Sequence, residues 1–147
     1  MNHINQLYRL IWLSRPLMQN AETLVEQNLQ GTGLTVRMRA VLEILVTNGP
    51  ASVPELAEKL EIQRQYVQLM VNEAIAAGFA LKQPNARHKR SMLIALTDTG
   101  ETLIQETMAK ERAVVADLAS EFDQSDVQTA LQVIDALIKN LKIKTTG

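Results

Sequence analysis

A cationic turn, Asn85-Ala86-Arg87-His88-Lys89-Arg90, runs directly into Met92-Leu93-Ile94-Ala95-Leu96, a segment that reads as a strand. Phe79-Ala80-Leu81-Lys82 before it is also strand-like, so Pro84 to Ser91 becomes the tip of a hairpin. Upstream lies Gln63-Arg64-Gln65-Tyr66-Val67-Gln68, one and a half helical turns rich in forked side chains. Cations suit phosphates, and bidentate amides and guanidinium groups suit base edges. A chain that places both near one another has the parts needed to read duplex DNA.

The punctuation around these segments sets the helices. Residues 4 to 30 read as a helix, with Ile4, Leu7, Tyr8, Ile11 and Trp12 at three-and-four spacing. Pro16 is expected to kink it, because proline lacks a backbone donor and crowds the preceding turn. Gly31-Thr32-Gly33 breaks it. Thr35 is a good N-cap for a second helix through Met38, Val41, Leu42 and Leu45, which stops at Asn48-Gly49-Pro50. Ser52-Val53-Pro54-Glu55 reads as a capping box opening a short helix, Pro54 to Leu60, that buries Leu56, Ala57 and Leu60.

The next helix, Gln63 to Ala77, is expected to bury Val67, Met70, Val71, Ala74 and Ile75, with Arg64, Gln65 and Gln68 on its open face and Gly78 at its end. Two short helices joined by a tight turn, the second polar in its N-terminal half, form a helix-turn-helix pattern. After the hairpin, Thr97 caps a long helix over about 98 to 120. A last helix, about 124 to 143, starts at Asp123 and carries the stripe Val127, Leu131, Ile134, Leu137, Ile138, Leu141. The terminal helices hold more apolar surface than one small lobe can cover, and self-association is the natural outlet. The fold expected is mainly α with a small β-hairpin wing: a winged helix-turn-helix lobe over 34–100, with dimerisation helices at 1–33 and 101–147.

Composition narrows the function. The chain has 147 residues, 46% of them apolar, enough for a real core in a single domain. Aromatic residues are 3%, too few for a sheet that stacks single-stranded bases. With no cysteine there is no disulfide framework and no zinc–thiolate site. No apolar run approaches a membrane span and Met1-Asn2-His3-Ile4 is not a signal peptide, so a cytoplasmic protein with no membrane partner is expected. Net charge is −1, but it is unevenly placed. From Glu61 to Thr97 five Lys/Arg face two acids, a balance of +3; from Asp98 to Ala136 two face nine, a balance of −7. One region suits a polyanion.

The order of elements, together with Gly33-Leu34-Thr35, Glu55-Leu56-Ala57-Glu58-Lys59-Leu60, Ala77-Gly78-Phe79 and Arg87 through Leu96-Thr97-Asp98-Thr99-Gly100, resembles the MarR family of bacterial transcriptional regulators. That family's wing usually reads Asp-x-Arg and then a basic strand ending in Leu-Thr-x-x-Gly. Arg87 matches the arginine, while Asn85 stands where the acid is usual, which makes the tip more positive and removes an ion pair that would brace it. The resemblance implies a homodimer binding a pseudo-palindromic operator in double-stranded DNA, often a repressor released by a small ligand, without enzymatic activity and without a cofactor.

On that reading Gln63, Arg64, Gln65, Tyr66 and Gln68 face the major groove, Arg87 the minor groove, and His88, Lys89 and Arg90 the phosphates. Tyr66 has two readings, packing on the preceding helix or touching a phosphate. Tyr8, Trp12 and Arg15 share one face of the first helix, either as dimer or interdomain packing or, with Met38 and Arg39, as a pocket for a small aromatic or anionic effector. His3 and His88 are far apart with no clustered ligand spacing, so no metal is expected. The competing reading is a winged-helix module that binds protein; it would place apolar residues on the open face of the Gln63 helix, where the sequence offers Arg and Gln.

Overall fold

In the computed structural model, residues 2–88 and 90–146 are described. Their order is α1 (His3–Leu29), α2 (Val36–Asn48), α3 (Val53–Leu60), α4 (Arg64–Ala76), β1 (Ala80–Pro84), β2 (Met92–Leu96), α5 (Asp98–Ala119) and α6 (Gln124–Thr146). The helices start where the caps predict. Thr35 Oγ1 accepts from Met38 N at 3.2 Å, and Ser52 Oγ accepts from Glu55 N at 3.3 Å. The Ser52 hydroxyl also donates to Glu55 Oε1 at 3.1 Å, so the capping box closes through side chains. Gly49, at φ 86, ends α2 in a backbone conformation that glycine adopts without steric cost. The turn between α3 and α4 is closed by Glu61 in the left-handed region (φ 57, ψ 41), its N–H donating to the carbonyls of Ala57 and Glu58.

The helical span of α1 continues through Pro16, and Asn20 Nδ2 donates to the Pro16 carbonyl at 2.8 Å. β1 pairs with β2 antiparallel, in a register that sets Ala80 opposite Leu96 and Pro84 opposite Met92. Ala51, just before α3, bridges Ile94 with hydrogen bonds in both directions, at 3.0 and 2.7 Å. The wing is thereby tied to the loop that leads into the helix-turn-helix.

The chain divides into two compact units, residues 1–110 and 111–147. In the first, the core gathers Val41 and Leu42 of α2, Leu56 of α3, Val67 and Val71 of α4, Ile94 of β2 and Ile104 of α5, each almost wholly removed from water. Leu29 at the end of α1 joins the same core, so both flanks of the lobe contribute to it. The N-terminal part of α1 does not: Ile4, Tyr8, Trp12, Leu13, Leu17 and Met18 are exposed. In the second unit α6 buries none of its described residues, and Val127, Leu131, Ile134, Ile138 and Leu141 lie exposed at alternating four- and three-residue spacing. That spacing is the seam of an interhelical packing surface.

Candidate nucleic-acid interface

Helix α4 has two sides of opposite character. Val67, Met70, Val71 and Ala74 are buried and anchor it to α2 and α3. Opposite them Gln65, Leu69, Asn72 and Ala76 recur at i, i+4, i+7 and i+11, all exposed. Arg64 is exposed beside this row, and Gln68 is half-buried with its Nε2 donating to Asn72 Oδ1 at 2.9 Å. That bond uses one group of each amide and leaves the Gln68 Oε1 acceptor and the Asn72 Nδ2 donor available for other contacts. Gln63 is the N-cap, with an extended backbone and no side-chain capping bond, so its amide is not spent on the helix.

The open face is less polar than the sequence reading expects. Leu69 is 59% exposed at its centre, and Ile62 and Tyr66 are exposed nearby. The periodicity that places Gln65 outward places Leu69 outward as well; an apolar residue in an amphipathic helix is easily assigned to the core by type alone. Polarity of this face therefore does not by itself separate DNA from a protein partner.

Tyr66 lies close enough to Arg37, in the first turn of α2, to favour its charged form, and Arg37 Nη2 lies 3.0 Å from Glu73 Oε1. Tyr66 and, after it, the Glu73 carboxylate push the Arg37 pKa above its ordinary value. Arg37 and Glu73 were not singled out from the sequence, because nothing local marks a pair so far apart along the chain.

At the wing, Arg87, His88 and Arg90 are exposed, and Lys89 lies outside the described residues. Asn85 supplies bracing at the position where an acid is usual in the family. Its Oδ1 accepts from Arg87 N at 3.0 Å and its Nδ2 donates to Ser91 Oγ at 3.1 Å, while Ser91 N donates to the His88 carbonyl at 3.2 Å. Two amide bonds thus hold the tip without an acidic side chain there.

Tyr8, Trp12 and Arg15 do come together on α1. The rings lie 6.3 Å apart at 57°, and the Arg15 guanidinium sits 5.6 Å from the Trp12 ring centroid, a cation–π contact on an exposed face. Met38 stands apart from them in character, since it is 9% exposed and belongs to the core. Arg39 is ion-paired with Glu43 at 3.3 Å. A cavity of about 490 Å³ lies elsewhere, lined by Thr32, Phe79, Asp98, Thr99, Thr102, Leu103 and Glu106. Its two carboxylates make it a poor host for an anion. Among the described residues there is no group of three or more His, Cys, Asp or Glu placed to hold a metal, and no helix is long and apolar enough to cross a membrane.

A helix-turn-helix tied through Ala51 and Ile94 to a cationic hairpin is an arrangement that known proteins share. The MarR family model matches residues 32–91. A crystal structure of the MarR family transcription regulator SP03579 superposes with a TM-score of 0.88 at 31% identity, covering 97% of this chain and 95% of that one. The chain belongs to the MarR family. It is also 25% identical over 134 residues to the HTH-type transcriptional repressor MdtR of Bacillus subtilis, covering 90% of this chain and 86% of the relative. It is 30% identical over 119 residues to the transcriptional activatory protein BadR of Rhodopseudomonas palustris, covering 77% of this chain and 67% of the relative. Family and fold together make it a DNA-binding winged helix-turn-helix transcription regulator.

Proposed function

We propose that the chain is a cytoplasmic, ligand-responsive repressor that binds a pseudo-palindromic operator as a homodimer and has no enzymatic activity. The observation that carries this reading is the pairing, within one compact unit, of an α4 face bearing Arg64, Gln65 and Gln68 with a wing bearing Arg87 and Arg90. Gln63, Arg64, Gln65, Tyr66 and Gln68 contact the major groove, with Arg64 forking onto guanine and an amide onto adenine. Arg87 enters the minor groove and His88, Lys89 and Arg90 lie along phosphates.

The unpartnered apolar stripe of α6 and the exposed face of α1 support a dimer. Two copies would present two α4 helices to half-sites one turn, ~34–36 Å, apart. A small aromatic or anionic effector at Tyr8, Trp12 and Arg15 releases the operator by favouring a different spacing of those helices. Repression is the sign suggested by the likeness to MdtR; the likeness to BadR favours activation as the second reading, and the same contacts serve both.

Selection of binding sites from a random duplex pool, followed by a promoter reporter carrying the selected site, tests both parts. A twofold-symmetric site that lowers reporter output when the protein is present is the expected result. Enrichment of no sequence, or of a site without symmetry, overturns the operator reading.

A further inference from the structure

We infer that Leu69 is a specificity-determining residue that reads the C5-methyl group of a thymine in the major groove. The inference rests on α4 being the element that contacts bases, and it names one chemical feature that α4 selects. Leu69 lies at the centre of the outward row, between Gln65 one turn before and Asn72 three residues after. With 59% of its surface in water it contributes little to the core, so its side chain remains free to make a contact outside the fold.

The surroundings decide which contact. Gln68 and Asn72 hold each other at 2.9 Å, which leaves one carbonyl oxygen and one amide group of the pair for a further contact. An acceptor beside a donor complements the N6 amino group and N7 of adenine, whose pairing partner carries the only methyl group in the major groove. A leucine next to that amide pair therefore meets the apolar part of the same or an adjacent A·T pair. A protein partner would need a contiguous apolar patch of several hundred Å². Here Gln65, Gln68 and Asn72 surround Leu69 with amides, so the apolar surface it offers is about the size of one methyl contact.

The test uses the full-length protein and the duplex enriched from the random pool, with each thymine replaced singly by deoxyuridine, which removes only the methyl group. Wild type should lose about fourfold in affinity at one thymine per half-site, the value of burying one methyl-sized group. Leu69→Ala should fold with an unchanged melting midpoint, bind the parent duplex more weakly, and lose sensitivity at that thymine alone. A flat deoxyuridine scan with wild type overturns the inference while leaving base reading by α4 intact. So does a sensitive thymine that persists unchanged in Leu69→Ala. If no duplex is enriched, base reading by α4 falls first and this inference with it. Capture of a protein partner through Leu69, with no methyl effect on DNA, also overturns it.

Discussion

Arg37 at the start of α2 and the half-buried Glu73 of α4 form an ion pair at 3.0 Å, and Tyr66 in the first turn of α4 lies beside the same guanidinium. A carboxylate on a helix that approaches phosphates is repelled by them, and Arg37 offsets that repulsion. Glu73→Gln removes the repulsion and frees Arg37. It should tighten DNA binding by roughly threefold to tenfold at low salt and steepen the salt dependence. Arg37→Gln leaves Glu73 uncompensated and should weaken binding. If titrations across salt show both substitutions weakening binding alike, the pair is a strap between α2 and α4 and its charge balance is irrelevant.

Gly100, in the first turn of α5, is buried against the backbone of Phe79. A Cβ at this position would overlap the Phe79 carbonyl oxygen and stand 2.8 Å from its carbonyl carbon. In an exposed helix glycine to alanine gains about 1 kcal/mol of propensity. Here backbone must move to make room, and overpacking of about 1–3 kcal/mol or more outweighs that gain. Gly100→Ala should lower the urea midpoint, and an unchanged or raised midpoint would mean that β1 yields freely. Thr97 works at the same junction, its Oγ1 accepting from Gly100 N at 3.0 Å and donating to the Gly78 carbonyl at 2.7 Å. Thr97→Val should cost about 1–2 kcal/mol through the lost cap.

Local chemistry carried most of the fold into the sequence. As caps and stops, Thr35, Ser52, Gly49 and Thr97 reach no more than four residues along the chain, and each performs the role its type suggests. Phe79 shows the limit. It belongs by type to the first strand, yet β1 begins at Ala80, because the Phe79 N–H is spent on the Ala74 carbonyl that closes the end of α4. The candidate site divides the same way. Outward Arg64, Gln65 and Leu69 all follow from helical period, although the apolar type of Leu69 points the other way. Arg37 with Glu73 is a contact across elements and leaves no local trace. Asn85 braces the wing through amide hydrogen bonds, a role that its replacement of the usual acid does not disclose.

The wing can be separated into charge and rigidity. Arg87→Ala removes a cation but leaves its backbone N–H on Asn85, so the turn survives. Binding should weaken across all sequences, and the slope of log K against log salt should fall by about 0.9 per neutralised phosphate, near two for a dimer. Asn85→Ala keeps the charges and removes both amide bonds. It should weaken binding while leaving the salt slope close to wild type, because a looser tip must be ordered on DNA. Equal slopes and equal affinities for Arg87→Ala and wild type would show that the wing does not touch DNA.

The exposed stripe of α6 gives the sharpest test of assembly. Leu131 is 60% exposed within the chain, so an acid there costs the folded subunit little. In a dimer sealed by this stripe the same acid is buried without a partner, which is expensive. Leu131→Asp should therefore sediment as a monomer at concentrations where wild type is a dimer, with its helical circular dichroism retained. Binding of one half-site by one subunit loses the effective concentration that a linked second subunit provides. Affinity for a symmetric operator should fall by roughly 100-fold or more, while affinity for an isolated half-site changes little. A Leu131→Asp protein that remains dimeric and binds the full operator normally would place the dimer contact elsewhere than the α6 stripe.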